Sequence, residues 1–183
     1  ENSPKHYRLP LYVLDMYYAT VDGWTDDYLQ INNIKRDYEK DYDSRKFCSF
    51  VVSNPRQEMR NKAFHFLSEY KRVDSGGPHL NNIGQVLPRE KLVYKADFLD
   101  AYRFNLCFEN GSYPGYVTEK ILNAFQVKTL PIYWGSPTVG QDFNVSSFIN
   151  AADHGDFNKL VDYVRHLDSP ARSEEHTSEL QSH

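Results

Sequence analysis

The feature that most constrains this chain is a series of short, unbroken apolar runs, each followed by a turn and an amphipathic stretch. "FCSFVVS" (47–53), "RFNLCFE" (103–109) and "TLPIYWG" (129–135) place apolar side chains on both faces rather than on alternate ones. Strands of that kind belong in a parallel sheet covered by helices on both sides. The intervening segments have helical spacing. After "SNP", where Pro55 suits the first helical position, Met59, Ala63, Phe66 or Leu67, and Tyr70 fall on one stripe. Val117, Ile121, Ala124 and Phe125 form a second stripe. Phe157, Leu160, Val161, Val164 and Leu167 form a third, behind Asp156 as N-cap. A weaker helix is expected over 89–102, a short strand over 147–151, and a loop over "VDSGGPHLNNIG" (73–84). This alternation predicts an α/β fold, a Rossmann-like parallel sheet with flanking helices.

A chain of 183 residues can build one such domain with a real core, but not two. Residues 1–46, rich in tyrosine and charge and without a sustained period, are expected to be an interdomain linker or the remnant of a preceding domain. Residues 47–171 form the folded unit. Residues 172–183, "RSEEHTSELQSH", lack periodicity and resemble the translation of a sequencing adapter, so they are set aside. With no initiating Met, the chain reads as a piece truncated at both ends. No apolar run is long enough to span a membrane, and the polar start "ENSPKHYR" is not a signal peptide. The net charge of -4 argues against a general nucleic-acid binder, and P-loop and Rossmann glycine patterns are missing. Cys48 and Cys107 sit inside apolar runs and are expected to be buried thiols, in keeping with a reducing, intracellular setting.

Ligands of such sheets bind outside the carboxyl ends of the strands. Three loops leave those ends: "SNPRQEMR", "ENGSYPGYVTEK" and "GSPTVGQDFN". In the second, Glu119 and Lys120 stand side by side at a helix start. Adjacent helical side chains diverge by roughly 100 degrees, so the two are not expected mainly to serve each other. A lysine in the first turn opposes the helix dipole unless an anion binds there, and the neighbouring acid suits a pair of sugar hydroxyls. That describes a ribose-plus-phosphate clamp. Spacing alone leans the other way, toward an ordinary helix start with Lys120 solvated. Arg60 could lean toward a phosphate, but taken singly it reads as a solvated helix arginine. Tyr113 and Tyr116 could stack on a base or pack under their loop. "DYD" (41–43) lies in a mixed charge run and does not read as a metal motif. The sequons "NGS" and "NVS" carry no weight in an intracellular protein, and the histidines are too scattered for a zinc site.

The strings "FNLCFENGSYPGYVTEKILNAF", "LPIYWGSPTV" and "DFNVSSFIN" resemble the C-terminal, donor-binding half of α1,3/1,4-fucosyltransferases, family ten of the glycosyltransferases, above all bacterial members. "FCSFVVSNPRQEMRNKAFHFL" is similar to that family's strand and arginine-bearing helix, and "LPLY" to its interdomain connection. The resemblance spans nearly all of residues 7–168. It implies a GT-B enzyme of which this chain is the GDP-fucose-binding domain. It further implies that Arg60 and Lys120 hold the diphosphate and stabilise the leaving group, and that Glu119 takes the ribose hydroxyls. Asn110, Tyr116 and Val117 would help enclose the nucleotide or fucose. No metal or cofactor is required in the family, transfer inverts the anomeric centre, and the general base lies in the acceptor-binding N-terminal domain. The implied partners are GDP-fucose and a glycan acceptor carrying N-acetylglucosamine or glucose. The implied location is the bacterial cytoplasm, with the full-length protein peripheral at the inner membrane. Residues 71–88 match the family's guanine-side loop only loosely. Two other readings fit the residues: the donor domain of a GT-B transferase using a different nucleotide sugar, and a non-catalytic nucleotide-sugar-binding module.

Overall fold

The computed structural model describes residues 8–14, 42–88 and 92–169. Most of the expected linker and all of 172–183 lie outside the described residues. Five strands, β1 (Lys46–Phe50), β2 (Val73–Ser75), β3 (Tyr102–Phe108), β4 (Leu130–Trp134) and β5 (Ile149–Asn150), form one sheet in the order β2-β1-β3-β4-β5. All four pairings are parallel, with Cys48 opposite both Val73 and Phe104, Leu106 opposite Ile132, and Tyr133 opposite Asn150. The helices are α1 (Glu58–Tyr70), α2 (Leu92–Asp100), α3 (Glu119–Gln126) and α4 (Phe157–Leu167). The Rossmann-like α/β fold read from the apolar runs is the one observed.

The continuous runs are buried on both faces, as parallel strands require. Phe47, Phe50, Phe104, Phe108 and Ile132 pack with Ala63, Phe64 and Leu67 of α1 and Leu160, Val161 and Val164 of α4. Phe66 stacks on Phe157 where those two helices meet, with ring centroids 5.3 Å apart. A second cluster joins Cys107 and Tyr133 of the sheet to Val117, Ile121 and Ala124 at α3. Asp156 caps α4 as expected, its carboxylate accepting from the Lys159 amide at 2.9 Å.

The structure departs from the sequence reading in three places. Pro55 lies in the turn before α1 rather than in its first position, and Gln57 is the cap, its Oε1 accepting from the Arg60 amide at 3.2 Å. The apolar stripe of α1 is phased differently: Ala63, Phe64 and Leu67 are buried with Arg60, while Met59 is exposed. Finally, "VDS" is a strand rather than part of a loop. Its alternation is hidden because Asp74 and Ser75 are both buried and polar. Asp74 accepts from the Tyr102 hydroxyl at 2.8 Å and from Arg72 Nε at 2.5 Å. Asn82 then covers the outer edge of β2, taking the Ser75 amide at 2.7 Å and giving to the Val73 carbonyl at 2.8 Å.

At the amino edge of the sheet, Arg45 gathers the carbonyl ends of two helices. It donates to the Asp100 carbonyl at 2.7 and 2.9 Å and to Val127 and Lys128 at 3.2 Å each. Among the described residues no helix is long and apolar enough to cross a membrane.

Both cysteines are free and buried, and burial pushes each thiol well above its ordinary pKa. A disulfide-exchange dye at pH 8 is therefore expected to leave the native chain unlabelled and to label both thiols after guanidinium unfolding. A thiol that reacts at the native rate of a surface cysteine would show that its face of the sheet opens.

Candidate functional site

From β1 the chain steps outward to β2 and then returns to the other side of β1 as β3. The loops leaving β1 and β3 therefore part company, and a crevice opens at their carboxyl ends. A cavity of roughly 290 Å³ lies there, lined by Asn54, Arg56, Gln57, Glu58, Met59 and Asn110. It joins the first and second of the three loops singled out from the sequence.

Arg60 is not part of that lining but lies behind it, bonded to two of the lining residues, Asn54 and Asn110, and it is fully buried rather than solvated. Its Nη1 donates to Asn110 Oδ1 at 2.8 Å and to the Phe108 carbonyl at 3.4 Å, and its Nη2 to the Asn54 carbonyl at 2.6 Å. Its Nε is buried without a hydrogen-bond partner. Among the described residues no carboxylate is bonded to it. Burial lowers the guanidinium's pKa, with Glu109 and Tyr116 pulling the other way. An arginine nevertheless stays charged, so this is a buried cation with spare donor capacity.

The second cation, Lys120, meets a partner that sequence reasoning missed. Glu109 ends the β3 run and is completely buried. Its carboxylate accepts from the Thr118 amide at 2.7 Å, from the Thr118 hydroxyl at 2.7 and 2.9 Å, and from Lys120 Nζ at 3.0 Å. Lys120 Nζ also donates to Thr118 Oγ1 at 2.8 Å and lies 3.7 Å from Glu119. Thr118 is the N-cap of α3, yet its side chain makes no capping bond because it is turned into this network. Burial pulls the Lys120 ammonium down, but Glu119 and Glu109 together outweigh it and leave its pKa raised. Burial likewise raises the Glu119 carboxyl, and Lys120 and Lys95 more than offset that, so it rests below its usual range. The lysine that opposed the helix dipole is thus balanced within the protein, and the long side chain still reaches Glu119 despite the diverging positions. The signal in the sequence was the acid at the end of a buried strand, where a charge must have a partner.

The remaining expected residues are distributed unevenly. Asn110 is exposed in the crevice and bonded to Arg60. Tyr116 is half-buried, with the exposed Tyr113 edge-on at 6.4 Å, and it acts electrostatically on both Arg60 and Lys120. Val117 is fully buried among Cys107, Ile121 and Tyr133, so its side chain anchors the loop from below. The third loop serves as a brace. Ser112 Oγ donates to the Gly135 carbonyl at 2.7 Å, and the Gly115 amide donates to Ser136 and Thr138 hydroxyls at 2.9 Å each. Gly115 has φ +77, a conformation that favours glycine, and its carbonyl accepts from Arg8, which also forms an ion pair with Asp142. Among the described residues no group of three or more His, Cys, Asp or Glu side chains is arranged to hold a metal ion.

Residues 41–176 match the family "Glycosyltransferase family 10 (fucosyltransferase) C-term". The chain belongs to that family. It is 44% identical over 129 residues to Alpha-(1,3)-fucosyltransferase FucT of Helicobacter pylori, a match that covers 70% of this chain and 26% of that protein. It is 33% identical over 113 residues to the human GDP-fucose protein O-fucosyltransferase 3, covering 58% of this chain and 23% of that one. A crystal structure of an alpha1,3-fucosyltransferase with GDP-fucose superposes with a TM-score of 0.65 at 36% identity, over 87% of this chain and 41% of that one. The same enzyme class with GDP gives 0.67 at 39%, over 80% and 41%. The chain therefore spans about a quarter of the length of these curated relatives.

Gly135 leaves room for the Glu109 network. A Cβ there would stand 2.5 Å from Glu109 Cγ and 2.6 Å from the Tyr133 hydroxyl, both on fully buried side chains. Gly135→Ala should destabilise the fold by about 1–3 kcal/mol, the usual range for overpacking, as read from urea unfolding. Unchanged stability would mean the carboxylate can move aside freely.

Proposed function

We propose that this chain is the GDP-fucose-binding half of an inverting α1,3/1,4-fucosyltransferase of GT-B architecture, with residues 47–171 as the donor domain. The observation that carries the reading is Arg60: a fully buried guanidinium at the switch-point crevice, bonded to neutral groups, with an unsatisfied Nε. A buried cation without a bonded anion is costly, and a diphosphate supplies the missing charge. Lys120 lies across the same edge and brings the second positive charge. Glu119, one-third exposed beside it, can accept the ribose hydroxyls. Asn110 lines the cavity and Tyr116 stands half-buried farther along the same loop, with Val117 supporting that loop beneath. The similar crystal structure with GDP-fucose supports the choice of donor.

The chemistry follows from where charge develops. The bond between fucose C1 and the β-phosphate oxygen breaks through a cation-like transition state, and its electron pair goes to GDP. Arg60 and Lys120 stabilise that growing negative charge with donors already in place, the task a divalent cation performs elsewhere. An acceptor hydroxyl attacks C1 from the opposite face and gives its proton to a base supplied by the acceptor-binding half. Similar proteins include one that takes a protein acceptor by its name and others named for α1,3 linkages, which fits acceptor choice lying outside the shared half. The N-acetylglucosamine or glucose acceptor, and a bacterial cytoplasmic location with peripheral contact at the inner membrane, rest on the resemblance to bacterial members.

Calorimetric titration of the chain tests the donor. GDP-fucose should bind better than GDP-mannose or UDP-galactose, and a preference for either of the others would replace fucose as the donor. Lys120→Ala should weaken GDP binding by about 1.5–3 kcal/mol, the range for a hydrogen bond to a charged group. An unchanged affinity would leave Lys120 a structural partner of Glu109 alone. Residues 1–171 by themselves should show no fucose transfer to glycan acceptors in a radiolabel assay. Measurable transfer would place the base within this chain.

A further inference from the structure

Glu109 is a costly residue to keep where it is. A carboxylate with no exposed surface loses its hydration, and a neutral amide of the same shape could still accept the Thr118 amide at 2.7 Å. Satisfying that one amide does not call for a negative charge. The charge is explained by what lies on the open side. Lys120 Nζ sits 3.0 Å from one carboxylate oxygen and 2.8 Å from Thr118 Oγ1, and the lysine keeps partial exposure while the acid has none. The Thr118 hydroxyl has one proton, directed at Glu109, and its lone pair receives Lys120. This diverts Thr118 from its position as helix cap, where its oxygen would normally take an α3 amide. Glu109 itself is fixed through its backbone. Its amide donates to the Trp134 carbonyl at 2.8 Å, continuing the β3–β4 ladder one bond past the strand.

We propose that Glu109 is a positioning residue for the reaction: directly and through Thr118 it holds the Lys120 ammonium protonated and in place before the diphosphate arrives. The inference rests on the donor-site reading given above and adds a residue that touches neither donor nor acceptor. The acidic neighbour at the mouth, Glu119, stands farther from the ammonium at 3.7 Å and is left for the sugar. Lys95 and Tyr116 also face this group, Lys95 acting on Glu119 and Tyr116 on Lys120.

The test is the GDP dissociation constant of the full chain between pH 7.5 and 9.5, compared with that of Glu109→Gln. Taking the ratio of variant to parent removes the titration of GDP itself. Loss of the carboxylate leaves a buried lysine with less support for its charge, so the ratio should climb about tenfold across this range. A purely structural defect would give a ratio independent of pH, and that result overturns the proposal. Should the thermal melt show that E109Q is unfolded, Glu119→Gln, at a partly exposed position, decides the matter. Glu119 also supports the ammonium, so its ratio should climb by about threefold or less if Glu109 is the main support, and a tenfold climb for E119Q would make Glu119 the holding group and overturn the proposal. A parent chain that binds no GDP at any pH would instead sink the donor-site reading.

Discussion

The arrangement of the site depends on one buried carboxylate fixed to the end of a strand. Glu109 follows Phe108, whose partner across the ladder is Trp134, and its own amide bonds to the Trp134 carbonyl. Its position is therefore inherited from the sheet rather than from a loop. Everything distal takes its place from there. Thr118 closes the loop back onto Glu109, α3 begins at the next residue, and Lys120 reaches back over the turn. The Tyr133 hydroxyl and the bare Cα of Gly135 close the other side. A lysine held in this way owes its precision to a rigid element beneath it.

The two edges of the sheet contrast in how their buried charges are matched. At the amino edge Asp168 is buried, but it pairs with Arg103 at 2.9 Å and Lys71 at 3.0 Å and accepts from the Tyr70 hydroxyl at 3.1 Å. Arg103 also stacks against Tyr42, and Arg45 takes up the helix carbonyls nearby. Charges there are matched by opposite charges. At the carboxyl edge Arg60 is as deeply buried, and its partners are an amide oxygen and two carbonyls. Dipoles can tolerate a guanidinium but do not neutralise it. The imbalance lies on the edge where the topology opens a crevice, which is why charge and topology lead to the same place.

Much of this was legible in the sequence, and what was hidden was hidden for physical reasons. The apolar runs foretold β1, β3 and β4 because a strand covered on both faces must be apolar throughout. The α3 and α4 stripes were legible because each helix meets the sheet on one side. β2 escaped because a three-residue strand whose buried Asp74 and Ser75 are satisfied by Tyr102, Arg72 and Asn82 has no apolar signature. The phase of α1 was misjudged for a related reason. Arg60 occupies a core-facing position, and treating it as polar shifted the stripe toward Met59. In both cases a buried polar group broke the rule that burial follows hydropathy, and in the case of Arg60 it did so at the site. Glu119 and Lys120 were visible as an anomaly, but not their link to Glu109, because the ten residues from Glu109 to Thr118 fold back on themselves.

On the proposed function, the same geometry fits a reaction divided between two halves. A base for the acceptor hydroxyl must be reachable and must gain a proton during the step. Glu109 is reachable by nothing outside the protein, and it already accepts from Thr118 and Lys120. Glu119 stands beside an ammonium and is held below the usual carboxylate range, which makes it a poor proton acceptor. The environment that keeps Lys120 charged is thus the one that makes its two acidic neighbours unsuited to act as bases. Stabilising the departing diphosphate and accepting the incoming proton make opposite demands on local charge. In the proposed reaction, separate domains on either side of the sugar would satisfy both.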